Sequence, residues 1–126
     1  LAVTLVDTDV LIDYLLGAEP MASKVAKLVA TGQLVTSSVN CFELLCGAQE
    51  NKRGEVTRAF VSAVDVLTLD NQGGEKAEEV RRDLQGASQD LGMGDSLIAG
   101  IALANDIPLL TRNQKHFQRV KNLRLA

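Results

Sequence analysis

Three carboxylates and an amide fall where the sequence pattern predicts strand-to-helix junctions or helix N-termini. Asp7 closes the apolar run "VTLV", and Glu43 lies in the first turn of the helix expected after "QLVTS". Asp95 opens "GDSLIAGIALANDI", and Asn113 stands two residues after "LLT". Each has an ordinary role open to it. Asp7, Asp9 and Asp95 can serve as N-caps, Asn40 with Glu43 has the spacing of a capping box, and Asn113 can cap the turn leading to Phe117. Capping does not explain why three acids and an amide share one edge of a fold. Carboxylates brought together repel and raise one another's proton affinity, so such a group calls for a cation. An oxygen donor set from Asp7, Glu43 and Asp95, without His or Cys, selects a hard ion: Mg²⁺, with Mn²⁺ able to substitute. One or two such ions would activate water and neutralise charge on a phosphodiester in an in-line displacement.

The elements that must position these residues alternate between strand and helix. Residues 3–6 read as a short buried strand and 8–16 as a helix stopped by Gly17. A second helix starts at Pro20, with Met21, Val25, Leu28 and Val29 helically spaced, and ends at Gly32. Residues 33–37 form the second strand, 40–50 and 53–63 the third and fourth helices, and 64–69 the third strand. A longer helix follows, its inner stripe marked by Ala77, Val80, Leu84 and Ala87. Then come a helix over 94–107, a strand over 109–111 and a last short strand in "LRLA". This order predicts an α/β fold: a central, mostly parallel sheet of four to five strands covered by helices on both faces, in one domain spanning 1–126. Ligands of such sheets sit outside the carboxyl ends of the strands, where the acids fall.

Composition narrows the function classes. The chain has 126 residues, 46% hydrophobic and 23% charged, which suits a globular protein rather than a disordered one. Only Tyr14, Phe42, Phe60 and Phe117 are aromatic, too few to pave a base-stacking RNA-binding sheet. A single histidine, His116, excludes a histidine-based zinc site and reads as a surface residue. Cys41 and Cys46 point to different helix faces, cannot pair with each other and read as buried apolar residues of a cytoplasmic protein. No apolar run is long enough for a membrane span.

Short polar residues cluster near the same edge. Ser38 and Thr111, with Thr8, Ser37 and Ser96, are suited to hydrogen-bonding the acids. Asp9 reads as a flanking or capping acid and Asp13 as part of the solvated helix face. Ala99, Gly100, Ala102 and Ala104 are small enough to let the helix behind Asp95 pack closely against the sheet. The net charge is −3, yet Arg112, Lys115, Arg119, Lys121 and Arg124 close the chain with no acid among them. They are either a solvated tail or a surface for phosphate or an acidic partner; Arg112 and Lys115 lie nearest the acids and are the RNA-binding candidates.

"LVDTDVLIDYL", "VNCFELLCGA" and "GDSLIAGIALANDIPLLTRNQKHF", in this order and over nearly the whole chain, resemble the PIN domain and, within it, the VapC-type toxin ribonucleases of type II toxin–antitoxin systems. The resemblance implies a PIN-like three-layer sandwich with Asp7, Glu43 and Asp95 as metal-binding acids. Asn113 falls at a fourth position that is Asp in many members and Asn in others; an amide there adds no negative charge. The resemblance further implies an Mg²⁺-dependent endoribonuclease leaving a 5′-phosphate and a 3′-hydroxyl. It implies a homodimer, and a cognate antitoxin that inserts a basic residue into the acidic groove. Two alternatives stay open. One is a non-catalytic PIN-like module that docks a basic partner. The other is a haloacid-dehalogenase-like phosphatase, in which Asp7 of "DTDVL" would be the nucleophile.

Overall fold

The computed structural model describes residues 2–48 and 52–126. The chain runs β1 (Thr4–Val6), α1 (Thr8–Leu16), α2 (Met21–Ala30), β2 (Leu34–Ser37), α3 (Ser38–Gly47) and α4 (Lys52–Ala63). It continues through β3 (Val66–Leu67), α5 (Asn71–Gly86), α6 (Met93–Ala104), β4 (Leu109–Leu110) and α7 (Gln114–Phe117). The four strands form one sheet in the order β3-β2-β1-β4, and every pairing is parallel. The expected fifth strand is only a single bridge between Leu109 and Leu125.

Side chains alternate across the sheet, so β1, β2 and β4 each feed two cores. Leu5, Val35 and Leu109 point to one face, where Val80 and Leu84 of α5, Ile98, Ala99 and Ala102 of α6, Phe117 and Val120 cover them. Val6, Leu34 and Leu110 point to the other, packed with Val10 and Leu11 of α1, Val25 of α2 and Leu44 of α3. Helix, sheet and helix therefore form three layers. β1 is central, and both Leu5 and Val6 are completely buried.

Several boundaries differ from the sequence pattern, each for a local reason. Helix α3 starts at Ser38, not 40, because the Ser37 hydroxyl accepts the Asn40 N–H and caps it. The Asn40–Glu43 capping box is therefore not made, and Glu43 lies in the second turn. Asp95 does not open its helix; Gly92 is the N-cap, and Asp95 sits inside the first turn. That helix ends at Ala104, and β3 shrinks to two residues. Gln49 and Glu50, expected at the end of the third helix, lie outside the described residues. Cys41 is buried as expected, whereas Cys46 is exposed. Among the described residues no helix is long and apolar enough to cross a membrane.

Candidate active site

The carboxyl ends of β1, β2 and β4 converge on one side chain. Asp7, at the end of β1, is 6% exposed and caps α1 through an Oδ1 bond from the Thr8 N–H of 2.8 Å. The same oxygen accepts from Asn40 Nδ2 at 3.0 Å, and Oδ2 accepts from the Thr111 hydroxyl at 2.7 Å. Capping and a site role are thus compatible in one residue. Burial pushes the Asp7 carboxyl above its usual range, the Thr111, Thr8 and Asn40 bonds oppose that, and the nearby Glu43 charge adds to it.

Asn40 is the residue the sequence pattern undervalues. It is fully buried. Its Oδ1 accepts from the Ser37 hydroxyl at 2.6 Å, and its Nδ2 donates to Asp7 and, at 2.9 Å, to Thr8 Oγ1. The Thr8 hydroxyl in turn donates to Glu43 Oε1 at 2.6 Å. One amide on α3 thereby links the caps of two helices and, through Thr8, a second carboxylate. The available signal was Ser37 as a cap directly after a strand, which places Asn40 in the first helical turn, facing the sheet edge. Among the described residues no buried side-chain nitrogen or oxygen lacks a hydrogen-bond partner. Asn40→Ala removes the shared donor and leaves Ser37 and Asp7 short of partners inside the protein. Urea unfolding should show a loss of about 2 kcal/mol; a change within about 0.5 kcal/mol, the range of ordinary surface substitutions, would mean the network adds nothing.

Asp95 approaches from α6. A Cβ on Gly94 would lie 3.2 Å from Glu43 Oε2, so the missing side chain lets the start of α6 come close to α3. Burial, then the charges of Asp7, Glu43 and Asp9 in that order, push the Asp95 carboxyl up to about 6. Asp9 is also raised, first by burial and then by Asp7, with backbone bonds and Arg112 opposing. The acids feel one another's charge. Among the described residues, however, no three His, Cys, Asp or Glu side chains converge tightly enough to enclose an ion directly.

The other candidates separate. Thr111 bonds Asp7 and also accepts the Asn113 N–H at 3.0 Å, which ties Asn113 to the rim through its backbone. The Asn113 side chain turns to His116 Nδ1 at 3.1 Å rather than capping α7. Ser38 does not reach the acids; its hydroxyl accepts the Leu69 N–H at 3.1 Å. Ser96 bonds the Gly92 carbonyl within its own helix turn. Asp13 is not on a solvated face: it is 16% exposed and pairs with Arg112 at 3.2 Å. Arg112, read as an RNA contact, is occupied by protein carboxylates, while Lys115 is exposed and makes no ion pair among the described residues.

The PIN domain family model matches residues 4–123. Ribonuclease VapC19 of Mycobacterium tuberculosis is 34% identical over 94% of this chain and 95% of its own. Ribonuclease VapC1 of Methanocaldococcus jannaschii is 30% identical over 96% and 83% respectively. The tRNA(fMet)-specific endonuclease VapC of Shigella flexneri is 33% identical over 74% of each chain. Among solved structures, DNA-bound VapBC from Salmonella typhimurium superposes with a TM-score of 0.84 at 25% identity, over 100% of this chain and 98% of that one. With an acid rim at the carboxyl edge of a parallel sheet, the family model over residues 4–123 and two of these ribonucleases matching over nearly its full length, the chain belongs to the PIN domain family and, within it, to the VapC ribonucleases.

Proposed function

We propose that this protein is an Mg²⁺-dependent endoribonuclease and the toxin of a type II toxin–antitoxin pair. The observation that carries the proposal is the gathering of Asp7, Glu43 and Asp95 at one rim, where burial first, and then the charges of Asp7, Glu43 and Asp9, lift Asp95 to about 6. Acids that suppress one another's ionisation form a site that gains by taking up a cation. Their donors are all oxygens, and Mg²⁺ keeps several of its waters, so acids spaced too widely for direct enclosure suit a hydrated ion. When bound there, a divalent cation would supply an activated water and neutralise the phosphodiester.

The chain's own residues do the positioning. Asp7, fixed by three hydrogen bonds, presents a rigid carboxylate; Thr8 orients Glu43; and α6 carries Asp95 against both. Asn113 adds no charge at its place beside Thr111, which favours one firmly held ion, with a second arriving with the RNA. Lys115, two residues beyond Asn113 and exposed, would meet a phosphate as the strand leaves the rim.

Solved structures of VapBC from Salmonella typhimurium and VapBC-1 from Haemophilus influenzae share this fold, and on that support we assign an antitoxin partner to this chain. Phe42 and Met93, beside Glu43 and Asp95, are 66% and 68% exposed, the kind of apolar surface that a partner or a second copy covers. A basic antitoxin side chain entering the rim would pair with the acids in the cation's place.

The test is a panel of cellular RNAs incubated with the protein in Mg²⁺, in chelator, and with Asp7→Asn, followed by end mapping. The expected result is cutting in Mg²⁺ alone, with 5′-phosphate and 3′-hydroxyl ends, lost in Asp7→Asn. Cutting that persists in chelator overturns the metal assignment. The second reading, a non-catalytic docking module, is favoured by the amide at position 113 and by the wide spacing of the acids; it predicts no cutting at all.

A further inference from the structure

The loop after β4 brings Arg112 against helix α1 at two levels. Its backbone N–H donates to the Asp9 carboxylate at 3.2 Å, and its guanidinium Nε lies 3.2 Å from Asp13 Oδ2 and 4.0 Å from Asp9 Oδ2. Asp9 and Asp13 are one helical turn apart on the same face, an arrangement that is repulsive on its own. A single planar cation reaching both relieves that repulsion and joins the loop to the helix. Both acids are more buried than Arg112, with side chains 27% and 16% exposed against 54%.

The neighbours of Arg112 give this contact its consequence. The preceding residue is Thr111, whose hydroxyl holds Asp7 Oδ2; the following residue is Asn113, whose N–H donates back to Thr111 Oγ1. The loop is thus held to the rim by Thr111 and to α1 by Arg112. α1 itself begins at Asp7, so the brace closes a small ring: Asp7, α1, Asp13, Arg112, Thr111 and back to Asp7. If Arg112 let go, Asp9 and Asp13 would lose their shared counter-charge, and the loop carrying Thr111 would lose its tie to α1.

We propose that Arg112 is a positioning residue, an internal brace that fixes Thr111 on Asp7 and neutralises the Asp9 and Asp13 pair of α1, and is not an RNA contact. The proposal rests on the nuclease reading above and adds a role to it. It also divides the basic tail. Arg112 is paired with Asp13 and Arg124 with Asp106, whereas Lys115 stays available to phosphate.

The test compares Arg112→Gln, Arg112→Lys, Asp13→Asn, the Arg112→Gln/Asp13→Asn double variant and Lys115→Gln in the full chain. Cleavage of one RNA is measured in Mg²⁺, and RNA affinity is measured in chelator across a salt series. Arg112→Gln is expected to lower kcat about tenfold or more, as loss of a group supporting a metal ligand does, with KM and the salt slope unchanged. Asp13→Asn should give a similar loss and the double variant little more, because both remove one contact. Arg112→Lys, able to pair with one acid, should recover part of kcat even if Arg112→Gln folds poorly. Lys115→Gln should flatten the salt slope by about 0.7, one phosphate contact on single-stranded RNA. A flattened slope for Arg112→Gln, or an unchanged kcat in both Arg112→Gln and Asp13→Asn, overturns the brace while leaving the nuclease reading intact. Wild type that cuts no RNA overturns both.

Discussion

Asp95→Asn should abolish Mg²⁺-dependent RNA cleavage and, in the same preparation, make the metal-free protein more stable. The first effect follows from removing a carboxylate of the rim. Losing a supporting partner of a metal ligand typically costs 10- to 100-fold, so losing the acid itself should exceed about 100-fold. The second follows from the raised pKa. Burial and the charges of Asp7, Glu43 and Asp9 lift Asp95 from 3.8 to about 6. A carboxylate raised in the folded state contributes its stability in full below about pH 3.8 and loses it as the pH rises through about 6. Asparagine does not ionise. In chelator the two proteins should therefore unfold alike in acid, then diverge between about pH 4 and 6, with Asp95→Asn the more stable above that. The shift would correspond to about 3 kcal/mol in full. Solvent screening of a partly exposed group reduces it to about 1–2 kcal/mol, or about 5 °C in Tm.

Adding Mg²⁺ should reverse the order. A cation that binds only the folded protein raises the Tm of wild type, and Asp95→Asn should respond far less. Because cation binding must displace the proton on Asp95, the apparent Mg²⁺ affinity of wild type should also climb with pH through the same window. Parallel melting curves for the two proteins in chelator across pH 4–8, together with a wild type indifferent to metal, would remove the physical basis of the site.

The rim was legible in part because two of its residues, Asp7 and Asn113, follow strands, and strand ends are readable from apolar runs bounded by polar residues. "VTLV" followed directly by Asp7, and "LLT" followed two residues later by Asn113, place both residues beside β1 and β4 without any knowledge of contacts. The layer order was legible for the same reason, since helical and strand periods alternate along the chain. What stayed hidden was the direction of individual polar side chains. Asn40 has the spacing of a cap, and only the sheet edge in front of it turns it into the partner of Asp7 and Thr8. Asp13 sits where a solvated acid would, and only the returning loop, 99 residues later in sequence at Arg112, covers it. Ser38 and Ser37 are neighbours of the same type, yet one serves the Leu69 N–H and the other Asn40. These assignments depend on long-range packing, which periodicity does not carry.

Gly100→Ala should be the most damaging single methyl that can be added outside the rim. The small residues of α6 were expected to serve contact with the sheet, but the tightest approach is to α5. A Cβ on Gly100 would lie 2.5 Å from the Gly73 carbonyl oxygen, 2.6 Å from the Ala77 nitrogen and 2.7 Å from Ala77 Cβ. Two of these three atoms are backbone, so no side-chain rotation relieves the overlap; the helices must separate. Overpacking of this kind costs typically 1–3 kcal/mol, and a clash with backbone on two sides belongs at the upper end, about 3 kcal/mol or about 10 °C in Tm. Gly74→Ala is the control. It lies inside α5 with nothing within 4 Å of the added Cβ, and replacing a helical glycine there should gain up to about 1 kcal/mol. The consequence reaches the site because α6 carries Asp95 in its first turn. Moving α6 away from α5 while the opposite layer stays in place should displace Asp95 relative to Asp7 and Glu43. Gly100→Ala should therefore lose cleavage rate per folded molecule, measured well below its Tm, in addition to its stability. If its Tm matched wild type, α5 and α6 would not be locked together at this contact, and the fixed placement of Asp95 would need another cause.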